Sequence, residues 1–432
     1  MAAYKYEQEN FTPSVSFEAD NSFINIEIEA NLTMFKETRE VIIFSFGPGG
    51  SMFGDADAEG DAIFFGANDN NIYAVSVDGK ELWRVHTGGL VTSCAVVKNG
   101  VLYMGSHDNN MYAINAATGA VLWKFTTGGI IFGSCAVSDD AVYVPSADCN
   151  LYALGLDGSF LWKFSTGGPV SLKPLLYNGL IYFCSFDNSM YAITRKGGLV
   201  WKFTAGGYPT AFPALAEGGV IYFGSQDRNF YAVDAKTGKL VWKFTAGDTT
   251  YPSSLKEGVV YVCSRDNNMY ALDTRSGKEL WRFKTNAIMA ARSAVANGAV
   301  YVGSYDNNMY AISTEGKLLW KFPTQGWVMP KPVLLKGRLY FGSWDCNFYC
   351  LDLNGKLIWK FPTSISTPST LEPPQTISKR SLEIVWTPDE QAEGKKYKGR
   401  DAELSDYGEF SGTYISKDKS DYVSSRKRGY VK

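Results

Sequence analysis

The sequence predicts an all-β fold: an eight-bladed β-propeller of four-stranded antiparallel blades. Three observations carry that prediction. Tryptophan recurs at Trp83, Trp123, Trp162, Trp201, Trp242, Trp281, Trp320 and Trp359, about 40 residues apart, and a fixed period of that size marks a repeat architecture. Within each period, four short apolar runs alternate with turn residues, the pattern of four antiparallel strands. One such sheet is too small to bury both of its faces. Radial stacking around a closed ring covers them and leaves no open end.

The elements follow in chain order. Residues 1–50 form an N-terminal extension with two predicted strands. Residues 21–30, NSFINIEIEA, alternate apolar and polar side chains. Residues 40–46, EVIIFSF, form a second run followed by Gly49-Gly50, just as Trp runs are followed by Gly128-Gly129 and Gly167-Gly168. This piece imitates the last strand of a repeat. It is expected either to pair with the outer edge of the final blade and close the ring, or to add a strand to the first blade.

Residues 51–362 are the propeller. The second repeat shows its parts plainly: a run at 91–97, a hairpin turn at Asn99-Gly100, a run at 101–105, a loop at 106–110, a run at 111–115, a turn through Ala117-Thr118-Gly119, and a run at 121–125. Residues 363–432 are a linker and a polar tail. The stretch 363–374 is rich in Ser, Thr and Pro, and 381–386, SLEIVW, is one further candidate strand. The charged remainder predicts disorder; the alternative is a tail lying across the propeller with its tyrosines as anchors.

The turn before the Trp repeats a pattern, Ala-x-Asp-x-x-Thr-Gly-x-x-x-Trp. It is complete in Ala232, Asp234, Thr237, Gly238 and Trp242, and nearly so in Ala271, Asp273, Ser276, Gly277 and Trp281. Gly permits a tight turn, the Asp or Thr oxygen can cap it, and Trp fills the space between neighbouring blades. These residues resemble the tryptophan-docking repeat of the PQQ-like propeller family. That family includes quinoprotein dehydrogenases and the assembly factor of the outer-membrane barrel machinery. The resemblance spans 51–362 and implies the fold. Only through the resemblance does PQQ arise as a cofactor; none is predicted from the residues. The family's enzymes set adjacent, disulfide-joined cysteines against the quinone, and this chain has no Cys-Cys pair and no Cys-x-x-Cys-His for haem.

Composition narrows the function. The net charge of -2 gives no general pull toward nucleic acid or an anionic membrane. No apolar run reaches the roughly 18 residues of a membrane span. The N-terminal residues lack the basic start and apolar stretch of a secretory signal, so a cytoplasmic location is expected, with export the alternative if a leader was removed. Six of the seven cysteines fall at matching or adjoining repeat positions (Cys94 with Cys135, Cys184 with Cys263, Cys149 with Cys346), which sets them on different blades. Cys346 and Cys350 have the spacing of a metal pair but no second pair, so buried thiols are expected and no metal site. With only His86 and His107, and no nucleophile elbow or phosphate loop, no catalytic residues are assigned.

Three repeat positions remain. An Asp recurs in each copy, as at Asp108 and Asp227, and is expected to cap its loop. The position before it varies: Asn68, His107, Ala147, Phe186, Gln226, Arg265, Tyr305 and Trp344. Because antiparallel strands alternate direction, these loops share one face with the inter-blade loops, which add Tyr208, Asp248 and Trp327. The candidate partner-binding face is therefore His107, Phe186, Gln226, Arg265, Tyr305, Trp327 and Trp344. A third register on the first strands lines the central channel: Asp55, Cys94, Ser134, Lys173, Pro213, Pro252, Arg292 and Lys331. Lys173, Arg292 and Lys331 either form a basic patch for a small anionic ligand or pair with neighbouring acids. The expected function is a noncatalytic interaction scaffold for a protein or peptide. The alternative is a small-molecule binder, anionic or quinone-type, or a quinoprotein-like oxidoreductase using the channel mouth.

Overall fold

The computed structural model describes residues 15–19, 24–30, 40–46, 49–210, 214–363, 381–382 and 402–403. Eight sheets of four strands each run in chain order from Asp57–Glu59 to Leu357–Pro362. They are numbered blades 1 to 8. Burial peaks in the middle strands of each blade. In blade 5 the second and third strands, Val220–Gly224 and Asn229–Asp234, are almost wholly buried, whereas the fourth, Leu240–Thr245, alternates between half-buried and exposed side chains. The middle strands are β-branched and aromatic because neighbouring blades cover both of their faces.

The innermost strands are shorter than predicted. In blade 2 the regular strand is Val96–Lys98 rather than 91–97. The blades converge near the axis, so the preceding segment shares its bonds between its own blade, where the Gly105 N–H donates to Ser93 Oγ, and the neighbouring one. The Val91 N–H donates to the Ala67 carbonyl and the Ala95 N–H to the Asp55 carbonyl. Ile131 with Ser106, Val170 with Ser146, Met289 with Ser264 and Val328 with Ser304 repeat the first of these links.

The Trp residues fasten the periphery. The indoles of Trp83, Trp123, Trp162, Trp201, Trp242, Trp281, Trp320 and Trp359 donate Nε1–H to the carbonyls of Ala116, Leu156, Arg195, Ala235, Thr274, Thr314, Leu353 and Val77, at 2.7–3.1 Å. Each acceptor lies in the next blade, and the last returns to blade 1. The turn Gly beneath the ring cannot be replaced cheaply: Gly238 has φ 69° and a Cβ there would stand 2.7 Å from Trp201. Opposite each indole across the sheet sits a small residue, Ala232 against Trp242 for example. In blade 8 that place is taken by Cys350 against Trp359, which accounts for this cysteine as packing. Tyr182 and Tyr222 donate their hydroxyls to the same carbonyls that receive Trp201 and Trp242. Burial pushes both phenols up to about 12.

The ring closes by this same packing. Besides the Trp359 bond, Phe65 of blade 1 stacks on Phe348 of blade 8 at 4.3 Å, and the Met52 N–H donates to the Ser343 carbonyl at 3.4 Å. Every blade strand comes from residues 57–362. The strand predicted at 40–46 is present as Glu40–Phe46, but it joins Val15–Ala19 and Ile24–Ala30 in a three-stranded sheet of its own instead of a blade. Strands close in sequence pair at small loop-closure cost, and this local option is the one realised. Of the stretch 381–386, Ser381–Leu382 pairs with Ala402–Glu403. The rest of the C-terminal tail lies outside the described residues.

Candidate functional site at the propeller mouth

The repeated Asp builds the frame of the mouth. In blade 2, Asp108 Oδ1 accepts the Asn110 N–H at 3.0 Å. Its Oδ2 accepts the Tyr112 hydroxyl at 2.5 Å and the Gly88 N–H of the inter-blade loop at 2.8 Å. The same set recurs around Asp148, Asp227 and Asp266. Burial alone would raise the Asp108 carboxyl, but these donors hold it below its ordinary range. The carboxylates are consumed in tying loops together. Among the described residues, no group of three or more His, Cys, Asp or Glu could hold a metal ion.

The position before each Asp is fixed just as firmly. Asn68, His107, Ala147, Phe186, Gln226, Arg265, Tyr305 and Trp344 donate their backbone N–H to Ser51, Leu90, Ile130, Pro169, Tyr208, Thr249, Ile288 and Trp327, at 2.9–3.1 Å. Both loop sets therefore meet on one face, and the varied side chains stand on a rigid ring of backbone bonds.

Those side chains divide the mouth into two sectors. Over blades 7, 8, 1 and 3 runs an aromatic chain. Tyr305 stacks on Trp327 at 4.6 Å, Trp327 meets Trp344 at 4.4 Å, Trp344 meets Phe53 at 6.4 Å, and Phe53 meets Phe132 at 5.3 Å. His107 ends the chain 6.1 Å from Phe132, with its Nε2 2.6 Å from the Thr92 hydroxyl. Mutual packing buries most of it: His107 is 2% exposed, Tyr305 4% and Trp344 4%, while Trp327 stays half-buried. Burial pushes the His107 imidazole down to about 3. The Trp344 Nε1–H is buried with no acceptor among the described residues. Over blades 4 to 6 the surface is more open. Phe186 stacks on Tyr208 at 4.9 Å, Gln226 and Arg265 are half-buried, and Asp248 is exposed.

The channel register does not form one basic patch. Arg292 of blade 7 reaches across to Asp55 of blade 1, Nη1 to Oδ2 at 2.7 Å, and its Nη2 lies 3.1 Å from Cys94 Sγ of blade 2. The pair is buried, and Asp55 Oδ1 also accepts the Lys331 backbone N–H at 2.6 Å. Of the two predicted alternatives, Arg292 takes the ion pair. The Lys331 residue is exposed, and Lys173 is half-buried near the buried thiols of Cys94 and Cys135. Burial pushes the Cys135 thiol up to about 12. Pro213 lies outside the described residues.

Sequence reasoning missed Phe53, Phe132 and Thr92. All three stand two residues before the channel register, and the aromatic pair at that place was the available signal. The opposite charges of Asp55 and Arg292 at one register were another, because in a closed ring equal register means a shared axis.

A family profile described as outer membrane protein assembly factor BamB matches residues 68–180, 127–212, 187–294 and 265–394. The chain belongs to this PQQ-like propeller family. Among solved structures, BamB from Moraxella catarrhalis is similar with a TM-score of 0.59 and 18% identity, over 67% of this chain and 91% of that one. The computationally designed Ika8 protein is similar with a TM-score of 0.62 and 16% identity, over 73% of this chain and 97% of that one. No curated protein matched. At these identities the likeness is one of fold, and fold alone does not assign an activity. The quinone of the PQQ-like enzymes does not fit the residues of this channel. There is no adjacent cysteine pair, and Arg292 is already held by Asp55 and Cys94 at the axis.

Proposed function

We propose that this BamB-type propeller is a noncatalytic scaffold whose mouth binds a protein or peptide partner. The observation that carries the reading is the division of labour among loop residues. The repeated Asp is used up in loop bonds, while the neighbouring varied position supplies an aromatic sector beside a polar one on a fixed frame. Aromatic anchors ringed by polar groups, already ordered before contact, suit a protein partner because little entropy is lost on binding. The family description, an assembly factor, names a role of the same kind. Affinity purification of the native protein followed by mass spectrometry, repeated with Phe186→Ala and Arg265→Ala, tests it. A partner retained at full strength by both variants would place binding elsewhere.

A second reading is a small anionic ligand at the channel, favoured by Lys173, which makes no salt bridge among the described residues. Calorimetric titration with inorganic phosphate and with a dicarboxylate decides it; heats unchanged by Lys173→Ala would remove it. For location we keep the cytoplasm: none of the seven cysteines is in a disulfide, which fits a reducing compartment. Cell fractionation checks this, and recovery in an oxidising compartment would overturn it.

A further inference from the structure

The net charge hides a polarised rim. The turns between third and fourth strands lie at the end of the blades away from the mouth. In blades 4, 5 and 6 they carry two cations each: Arg195 and Lys196, Lys236 and Lys239, Arg275 and Lys278. All are exposed, and among the described residues Arg195 alone of the six enters a salt bridge, a loose one to Asp140 at 3.5 Å. The corresponding turns of blades 1 to 3 carry Asp78, Lys80 and Asp157. Three consecutive blades thus form a cationic arc, and the opposite arc lacks it.

The cations are interleaved with exposed aliphatic side chains. Each turn is seated on the Trp of the preceding blade: Gly238 lies against Trp201 and Gly277 against Trp242. Lys236 and Lys239 therefore sit beside the strand bearing Leu199 and Val200. In the same way Arg275 and Lys278 flank the strand bearing Leu240 and Val241. Leu199 is 56% exposed, and Leu240 and Val241 about half. Several acids of this arc have local partners, Glu257 with Lys256 at 3.6 Å among them, while Glu217 stands at the neighbouring turn of blade 5. Asp234 and Asp273 accept hydrogen bonds from Thr237 and Ser276 inside their turns, and Glu279 is paired with Arg282 at 2.7 Å.

We infer that the rim of blades 4 to 6 is a docking surface for an anionic lipid bilayer, with the mouth left open for a partner. Exposed apolar side chains open the fourth strand of every blade, as at Leu122, Leu319 and Ile358, and the paired cations single out this arc. Together they match a bilayer surface in both respects: headgroup phosphates take the charge and the boundary region takes the apolar groups. An acidic protein would match the charge but has less use for a row of aliphatic side chains.

The test is co-sedimentation of the full chain with vesicles of phosphatidylcholine alone and of equimolar phosphatidylcholine and phosphatidylglycerol, at low and high salt. Binding is expected only to the anionic vesicles, falling with salt. The variant Lys236→Glu/Lys239→Glu/Arg275→Glu/Lys278→Glu should lose more than about a hundredfold in partitioning, since each surface cation contributes roughly fivefold. Leu240→Ser/Val241→Ser should lose about tenfold through lost apolar burial. Lys317→Glu/Lys356→Glu, on blades 7 and 8, is the control and should stay within about twofold for lack of a contact with the surface. All these positions are exposed, and unchanged thermal unfolding verifies the fold. Three results would overturn the inference: no binding to anionic vesicles, equal loss in the control, or full binding by the Leu240/Val241 variant. The first would leave an acidic protein as the occupant of the arc, and the last would remove the apolar half of the bilayer match.

Discussion

The outer seam and the mouth of this propeller are built from the same repeat and obey opposite rules. At the seam, eight indoles make one bond to one kind of turn, eight times over. At the mouth, one position per repeat is held by an equally uniform backbone bond, yet it carries Asn, His, Ala, Phe, Gln, Arg, Tyr or Trp. Uniform contacts hold blades to each other, and a uniform scaffold under varied side chains makes a site. The channel is a third case, in which unlike residues at one register are also structural. Asp55 and Arg292 differ as mouth residues do, yet they bridge blades as the indoles do.

That comparison can be broken in four places. The largest effect is expected at the channel. Arg292→Ala leaves Asp55 buried without its partner and should cost about 3–5 kcal/mol, read as a lowered urea midpoint. Asp55→Asn/Arg292→Met should recover most of that loss. If the single variant is neutral, the channel pair belongs with the site and not with the frame.

Next comes the seam. Trp242→Ala removes the bond to Thr274 and the ring over Gly277, and should cost about 3 kcal/mol. Trp327→Ala, which leaves the indole-to-carbonyl bonds between blades in place, should cost less than half as much by the same measurement. Equal losses would erase the distinction between seam and mouth.

The third effect depends on pH. Burial holds the folded His107 near 3 against an ordinary 6.5, so the neutral form is favoured by the fold. Its contribution is complete above pH 6.5. Below that the unfolded chain takes up a proton that the folded chain refuses, and stability falls by about 1.4 kcal/mol per pH unit until pH approaches 3. Denaturation between pH 6.5 and 5, above the carboxylate range, should show this slope in the parent and not in His107→Gln. A parallel slope in the variant would place the proton elsewhere.

The smallest change in stability, within about 0.5 kcal/mol, is expected for Gln226→Ala and Arg265→Ala in the open sector. These should lower partner affinity by about tenfold at an anchoring position. Surface plasmon resonance against the purified partner checks it, with the Trp327 variant as comparison.

Much of the frame was legible because it repeats. The Trp period set the blade number, and the Asp two residues before an Asn announced a cap. The mouth was legible as a set of positions but not as two sectors. Which varied residues stack depends on Phe53, which meets Trp344 of blade 8 only because the ring closes, and on Phe132, which meets Phe53 past blade 2. The burial of Tyr305 and Trp344 likewise follows from Trp327 and Phe53 lying over them, a fact of three-dimensional neighbourhood. The N-terminal strand at 40–46 imitated a blade strand in composition, but composition does not choose between a remote sheet edge and a hairpin neighbour close by.

The bridge from Arg292 to Asp55 passes over blade 8, since it links blade 7 directly to blade 1. On a ribosome, Asp55 waits through most of translation while successive blades stack beside it. We expect that, once the seventh has emerged, this bond ties the two ends of the growing arc, so that the eighth is received into a gap of set width. A chain stopped after Leu318–Pro323 should then keep protected amides around Asp55 in hydrogen exchange, and lose that protection when Arg292 is replaced.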